Sequence, residues 1–329
     1  LSTMMDIPLS LTRILEYGAS VHGSTTVTTW HGEGTGSEFD PAEEVTFRDI
    51  AARAAAFAHA IHDDLGITGD ERVGSFMWNC AEHLEVMFGT ACKGAIFAPL
   101  NKQLMNDQIR HIINHAEISA IVCDPRLAQQ LGKVLVGTDS VKSVIITGAQ
   151  PAQQFAHLFP RGIEVYSYEA LIDGRSTVYD WPELDERTAA ALCYSTGTTG
   201  APKGVLYSHR SLYLEAMQLR SSDSLCITHG ETFLCCIPIC HVLSWGVPFT
   251  CFMTGTPLVL PDADVSAPTL AKAIAATSPR VAHGVPTIWI QLFVHYMHHP
   301  PERMTLTEIY AGGSPVPPTP VSYTHLRAH

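Results

Sequence analysis

One run of eleven residues, 194–204, combines hydroxyl side chains, glycines and a lysine in an order that suits binding of a polyphosphate. It reads Tyr-Ser-Thr-Gly-Thr-Thr-Gly-Ala-Pro-Lys-Gly. Glycines let backbone N–H groups approach an anion closely, hydroxyl groups donate to phosphate oxygens, and a lysine adds positive charge. The run therefore indicates ATP chemistry, with the candidate phosphate-binding residues Ser195, Thr196, Gly197, Thr198, Thr199, Gly200 and Lys203.

The segments on either side of the run predict the secondary structure that flanks it. The apolar residues 189–193 predict a buried strand, and residues 208–217 predict a helix. Pro202 disfavours a helix between them, because its ring and its missing N–H are incompatible with a helix interior. We therefore expect a loop that connects a strand to a helix.

Three other interpretations of the run fit less well. A P-loop requires Gly-Lys-Ser/Thr, whereas Lys203 follows Pro202 and precedes Gly204. A hydrolase nucleophile at Ser195 would need the pattern Gly-x-Ser-x-Gly, and the sequence there is Tyr-Ser-Thr-Gly. A flexible surface turn is the plain alternative, and the apolar strand that leads directly into the run disfavours it.

The run resembles the phosphate-binding signature of the adenylate-forming (AMP-binding) superfamily, which includes acyl-CoA synthetases, firefly-type luciferases and the adenylation domains of peptide synthetases. Three further segments are similar to those of medium- and long-chain fatty acyl-CoA synthetases. They are 238–248, 284–287 (Gly-Val-Pro-Thr) and 312–315 (Gly-Gly-Ser-Pro). Their order and spacing agree with that family from about residue 5 to about residue 320, and four ordered matches are far more specific than one.

This resemblance implies a fold and an activity. The fold is two stacked α/β lobes with mostly parallel sheets. The activity is a fatty acid–CoA ligase, which uses ATP and Mg²⁺ to form an acyl-AMP and then transfers the acyl group to coenzyme A. Thr198 matches the threonine that ligates magnesium. The runner-up functions are another adenylate-forming enzyme, acting on aryl or amino acids or like a luciferase, and a non-catalytic fragment that binds ATP or acyl chains.

The resemblance also assigns the other candidate site residues. His241 matches a residue near the reacting carboxylate, and Trp245 matches an indole that gates the acyl tunnel in some long-chain synthetases. Gly284 is implied to line the acyl pocket, and Gly312, Gly313 and Ser314 to lie where an alkyl chain or the adenine passes. The plain alternatives are a hydrogen-bonded core histidine, a core tryptophan and ordinary glycine turns.

Composition limits the classes of partner. Of 329 residues, 46% are hydrophobic and 16% charged, which is typical of a globular enzyme with broad buried sheets. The net charge of −12 disfavours a nucleic-acid partner. Nine cysteines without a repeating framework predict reduced thiols and a cytoplasmic location. A zinc site at Cys235, Cys236, Cys240 and His241 is disfavoured, because no second ligand pair follows at metal spacing.

The sequence predicts no membrane span, since no apolar stretch reaches the necessary length. Peripheral membrane contact remains open, because it would suit an enzyme that acts on a lipid. No basic amphipathic helix in the sequence indicates such contact. Homodimer formation by the full-length protein is left open.

Strands alternate with helices on both sides of the run, which predicts parallel sheets with covered faces. Before the run we predict helices at 47–65 and 81–93, a helix around 109–113, and strands at 72–77, 95–98, 120–123 and 144–146. After it we predict strands at 233–237, 257–260 and 280–283 and helices at 268–276 and 286–298.

We place a first lobe at 1–186, a second and incomplete lobe at 187–320, with a boundary near Arg187, and a non-native tail at 321–329. The family's Tyr-Gly-x-Thr-Glu motif, ribose-binding aspartate and C-terminal catalytic lysine have no counterpart here. We therefore expect a truncated reading frame that lacks turnover on its own.

Overall fold

The computed structural model describes residues 3–32, 42–195, 201–315 and 327–328. The chain divides into two compact units. The first comprises Leu1–Tyr17, Asp49–Met77 and Glu82–Ala216, and the second comprises Gly18–Arg48, Trp78–Ala81 and Met217–His329.

The sheet of the first unit has seven strands in the order β7-β6-β5-β3-β4-β8-β9. All neighbours are parallel except β8 and β9, which pair antiparallel. The strands are β3 (Arg72–Phe76), β4 (Ile96–Pro99), β5 (Ile118–Cys123), β6 (Ser143–Ile146), β7 (Glu164–Ser167), β8 (Ala189–Ser195) and β9 (Lys203–Ser208).

The sheet of the second unit also has seven strands, in the order β14-β13-β12-β10-β11-β1-β2. Only β1 and β2 pair antiparallel. The strands are β1 (Thr26–Trp30), β2 (Ala42–Thr46), β10 (Phe233–Cys235), β11 (Leu258–Leu260), β12 (Val281–Gly284), β13 (Glu308–Ala311) and β14 (Arg327–Ala328).

The helices, in chain order, are α1 (Leu11–Val21), α2 (Phe47–Asp63), α3 (Ala81–Lys93), α4 (Asn106–His115), α5 (Ala128–Leu135), α6 (Tyr168–Ile172), α7 (His209–Leu219), α8 (Val242–Trp245), α9 (Val247–Thr254), α10 (Ala267–Thr277) and α11 (Pro286–His298). Short 3₁₀ turns lie at Pro125–Leu127, Ala152–Gln154 and Ala156–Leu158.

Local sequence explains where the elements begin and how they pack. Strands β4, β6, β10, β11 and β12 are buried at every position, as expected for apolar strands of parallel sheets covered on both faces. Helices α10 and α11 carry proline in the first turn, where its missing N–H breaks no intrahelical bond.

The predicted fold class, two α/β lobes with mostly parallel sheets, is confirmed.

Most of the predicted elements are confirmed within two or three residues. The helices predicted at 81–93 and 286–298 have those bounds in the structure. The strand predicted at 233–237 ends earlier, at Cys235. Eleven elements were not predicted: α1, α5, α6, α8, α9, β1, β2, β7, β9, β13 and β14. Strand β1 pairs with β11, more than two hundred residues away, and local periodicity cannot show such a pairing.

The prediction that the phosphate run connects a strand to a helix is wrong. Residues 203–208 form β9, which pairs antiparallel with β8 from Ser195↔Lys203 to Ala189↔Ser208, and the helix begins only at His209. Val205 and Leu206 are largely exposed, so this edge strand lacks the buried face by which strands are usually recognised. The lobe boundary near Arg187 stays a prediction. The first compact unit nevertheless runs on to Ala216, because β8 joins β4 in the first sheet.

Candidate functional site

The phosphate run contains the last residues of β8, the first residues of β9 and the connection between the two strands. Ser195 and Lys203 are directly opposite each other in the ladder, the Ser195 hydroxyl is 3.5 Å from the Lys203 carbonyl oxygen, and both residues are exposed. The predictions for Thr196, Gly197, Thr198, Thr199 and Gly200 fall outside the described residues. The hairpin thus brings the first and last of the predicted phosphate-binding residues together.

The Lys203 ammonium is available to an anion. Among the described residues, no carboxylate is within ion-pair distance of Lys203, although the protein carries a net charge of −12. An ammonium and a hydroxyl on two exposed, paired residues are hydrogen-bond donors of the kind that bind a phosphate group. The described ends of the loop therefore fit ATP.

Tyr194 holds the end of β8, directly before Ser195. The His115 Nδ1 atom and the Tyr194 hydroxyl are 2.7 Å apart, and their rings meet edge to face. A Cβ added at Gly204 would lie 3.3 Å from the Tyr194 Cζ, so a glycine there lets the two strands approach. Partial burial raises the pKa of Tyr194, which keeps the phenol protonated as a donor.

The second group of candidate residues surrounds α8, a short turn with left-handed backbone. His241 precedes α8 and is exposed, so it is not a buried core histidine, whereas Trp245 ends α8 and is partly buried. Gly246 follows with φ 73°, and α9 begins one residue later.

Three of the predicted pocket residues converge in the second unit. The Gly312 N–H donates to the Gly284 carbonyl at 3.3 Å, as a continuation of the β12–β13 pairing. A Cβ added at Gly312 would lie 2.6 Å from the Trp245 Cζ2, and one added at Gly284 would lie 2.9 Å from the Trp289 Cζ2. Both glycines are therefore required by the close approach of an indole, rather than by an ordinary turn.

Gly313 and Ser314 lie next along the chain and are exposed. Gly313 has φ 91°, a left-handed conformation that favours glycine, and its nearest contact for an added Cβ is the Val285 side chain at 3.7 Å. The structure thus places both residues beside Gly312.

A buried polar cluster that the sequence analysis missed lies behind α8. Ser244 Oγ donates to the Ile237 carbonyl at 2.6 Å and lies 2.9 Å from the Cys235 Sγ and 3.3 Å from the His283 Nε2. Burial lowers the pKa of His283 to about 4 and raises that of Cys235 to about 12. Both groups are therefore uncharged near neutral pH. A histidine within the apolar strand 281–284 was the signal in the sequence.

Asn79 is a second residue that the sequence analysis missed. Its amide nitrogen donates to the Ile237 carbonyl at 2.8 Å, and its amide oxygen accepts from the Ile239 N–H at 3.0 Å. Its backbone carbonyl accepts from the Asp262 N–H. Asn79 therefore fixes the chain between β10 and His241. A polar residue just beyond the carboxyl end of β3, at a position where α/β sheets bind ligands, was the available signal.

The structure brings Ser195 and Lys203 together in the first unit, and Trp245, Gly284 and Gly312 together in the second. All nine cysteines are free, and eight are buried. Within the described ranges, His, Cys, Asp and Glu side chains form no group of three or more that could hold a metal ion. The described helices include none with the length and apolarity needed to cross a membrane.

The model of the AMP-binding enzyme family matches residues 17–325, and the chain belongs to that family.

Curated relatives agree with this family. The chain is 31% identical over 322 residues to a 3-methylmercaptopropionyl-CoA ligase of Ruegeria lacuscaerulensis, a match that covers 98% of this chain and 58% of the relative. It is 32% identical over 320 residues to a medium-chain-fatty-acid–CoA ligase of Ectopseudomonas oleovorans, covering 96% and 56%. The chain thus spans just over half the length of these relatives.

Solved structures share the fold. The anthranilate CoA ligase AuaEII in complex with anthranoyl-AMP superposes with a TM-score of 0.83 at 20% identity, over 98% of this chain and 60% of that one. A long-chain-fatty-acid-CoA ligase from Archaeoglobus fulgidus gives a TM-score of 0.80 at 22% identity, over 98% and 62%.

Proposed function

We propose that the full-length protein is an AMP-forming acyl-CoA ligase that acts on medium- or long-chain fatty acids. The observation that carries the proposal is the contact of the Trp245 indole with Gly312 beside Gly284, in a chain of the AMP-binding enzyme family. A large aromatic ring at glycine positions can border a narrow apolar channel.

The phosphate run supplies the binding energy for ATP. Lys203 and the hydroxyl groups of the run hold the β- and γ-phosphates and offset their charge, and Thr198 is the proposed Mg²⁺ ligand. Bound Mg²⁺ would neutralise charge on the phosphates. The substrate carboxylate then attacks the α-phosphorus in line, and pyrophosphate leaves. The reaction depends on positioning and electrostatic stabilisation, so no protein nucleophile is needed.

The second half-reaction consumes the acyl-AMP. The thiol of coenzyme A attacks the activated carbonyl, and AMP leaves with the thioester as product. We assign His241, which is exposed at the start of α8, to the reacting carboxyl group. Trp245 borders the acyl chain, and Gly313 and Ser314 lie on the nucleotide side.

The names of the two relatives support an aliphatic acid, since 3-methylmercaptopropionate and medium-chain fatty acids are both aliphatic. The net charge of −12 supports small-molecule substrates rather than a nucleic acid. Nine free cysteines support a reducing, cytoplasmic setting.

Exchange of labelled pyrophosphate into ATP tests the first half-reaction. The full-length protein should catalyse exchange that depends on octanoate or dodecanoate and on Mg²⁺. Exchange that requires an amino acid or an aryl acid, and not a fatty acid, would support the runner-up function and contradict this one.

The 329-residue chain alone is expected to form no thioester, because its sequence contains neither the family's Tyr-Gly-x-Thr-Glu motif nor the C-terminal lysine that the resemblance implies. An assay for thioester with this chain tests that expectation. Ordinary turnover would show that the catalytic groups lie within these residues.

A further inference from the structure

The segment 242–246 has a backbone conformation that L-amino acids rarely adopt. Val242, Leu243, Ser244 and Trp245 have φ between 49° and 57°, and Gly246 has φ 73°. Four consecutive non-glycine residues in the left-handed region are each strained, because Cβ crowds the following carbonyl oxygen. Such strain persists only where the surrounding structure determines the conformation.

One buried side chain, His283 on β12, contacts the backbone in the middle of this turn. The His283 Nε2 is 3.1 Å from the carbonyl oxygen of Ser244 and 3.3 Å from its hydroxyl oxygen. A carbonyl oxygen only accepts, so Nε2 carries the proton and donates it. His283 therefore bonds to the backbone in the middle of the left-handed turn.

The rest of the cluster is consistent with this tautomer. Ser244 uses its only proton to donate to the Ile237 carbonyl, so its lone pairs accept from the Cys235 thiol and from Nε2. Nδ1 is then an unprotonated acceptor, and it is buried without a hydrogen-bond partner among the described residues. Burial lowers the pKa of His283 to about 4, so the imidazole stays neutral.

The same ring also contacts the tryptophan that ends the turn. The His283 imidazole meets the Trp245 indole edge to face, with centroids 5.4 Å apart and an interplanar angle of 78°. Phe233 meets the imidazole from β10 at 5.1 Å and 90°. His283 is thus fixed on one side by Phe233 and contacts both the backbone and the indole of the turn.

We propose that His283 is a positioning residue for acyl selectivity, which locks the left-handed turn through Ser244 and thereby holds the Trp245 indole against Gly312. This role rests on the proposed function of Trp245 as the border of the acyl pocket. Loss of the Nε2–H donor releases the strained turn, and the indole then takes up more than one position.

The test combines a spectrum with an activity profile of the full-length protein. The protein is labelled with 5-fluorotryptophan, and the Trp245 ¹⁹F resonance is identified as the one that Trp245→Phe lacks. His283→Leu removes the donor at similar volume, and we expect the Trp245 resonance to shift and to broaden or split. The ratio of kcat/KM for dodecanoate over octanoate should change by about threefold or more, with the KM for ATP unchanged.

Two further substitutions at His283 separate positioning from packing. A glutamine amide nitrogen reaches about as far as Nε2, whereas an asparagine nitrogen reaches only as far as Nδ1. His283→Gln should therefore restore the wild-type resonance and ratio, and His283→Asn should behave like His283→Leu. Ser244→Ala is a milder variant that weakens the same lock if His283→Leu does not fold.

His209 provides the matched control, since it is also fully buried, with a pKa lowered to about 4 by burial, but lies in the first unit. His209→Leu should lower the melting temperature without changing the Trp245 resonance. If His283→Leu and Ser244→Ala also lower only the melting temperature, the proposal is overturned. Absence of thioester with every acid would overturn the proposed function, while the ¹⁹F spectrum would still decide the role of His283.

Discussion

The indole of Trp245 lies so close to Gly312 that a single added methyl group would clash with it. The distance from an ideal Cβ at Gly312 to the Trp245 Cζ2 is 2.6 Å, and real Cβ atoms do not approach so closely. Trp245 itself ends the left-handed turn 242–246. The identity of residue 312 and the position of the indole are therefore coupled.

Gly312→Ala should displace the indole. We expect a loss of about 1–3 kcal/mol in the free energy of unfolding, which is typical of overpacking, and a changed preference among acyl lengths. Urea unfolding and initial rates with acids of graded length measure the two effects. Gly69→Ala is the matched control, because its only nearby atom is a Glu71 side-chain oxygen at 3.8 Å. Equal behaviour of the two variants would contradict the coupling.

Trp245→Ala should open the acyl pocket rather than disable the nucleotide site. We expect a shift in preference among acyl lengths or a faster release of acyl-AMP, with pyrophosphate exchange little changed. If Trp245 serves only to pack the core, Trp245→Ala should lower the free energy of unfolding by about 3–5 kcal/mol. The relative rates on short and long acids would then stay the same.

Lys203→Ala should slow adenylation, because its ammonium faces no carboxylate in the described residues and is free to bind phosphate. Loss of one such contact costs about 3 kcal/mol of transition-state stabilisation, or roughly a hundredfold in rate. Thr198→Ala should act in the same direction. Pyrophosphate exchange measures the effect, fatty-acid binding should be retained, and the exposed Lys142→Ala is the control. If either variant changed the preference among acyl lengths and left the rate of adenylation unchanged, the phosphate run would not bind the phosphates of ATP.

Two buried histidines predict how stability depends on pH. Burial lowers the pKa of His209 and of His283 from 6.5 to about 4, so the unfolded chain binds more protons between these values. Each contribution to stability is fully present above pH 6.5 and is lost as the pH falls toward 4, by about 2 kcal/mol per histidine between pH 7 and pH 5. Urea unfolding at several pH values should show a shallower dependence for His209→Gln and for His283→Gln. If the stability of both variants depended on pH as that of the wild type does, the lowered pKa values of His209 and His283 would be contradicted.

The elements with strong local signals could be predicted from the sequence. Helix α11 begins at Pro286 and follows an apolar periodicity, so its bounds were predicted correctly. Strand β9 could not be predicted, because it is an edge strand with exposed Val205 and Leu206 and is recognisable only from its pairing with β8. Strand β1 likewise depends on a distant partner, β11.

The candidate site likewise contains some residues that the sequence could identify and others that it could not. Motif resemblance predicted Trp245, Gly284 and Gly312, and the structure gives a physical reason for each glycine. It did not predict His283, whose hydrogen bond to Ser244 depends on a left-handed turn that no sequence pattern specifies. Residues that act by holding another residue are found only when the backbone is known.

The proposed activity of the full-length protein is the activation of a fatty acid by ATP. The most direct measurement is the nucleotide product of the full-length protein incubated with ATP, Mg²⁺, coenzyme A and fatty acids of graded chain length. We predict AMP and pyrophosphate in step with acyl-CoA, with the highest rate on a medium- or long-chain acid. Release of ADP, or activity only with amino acids, would contradict the account.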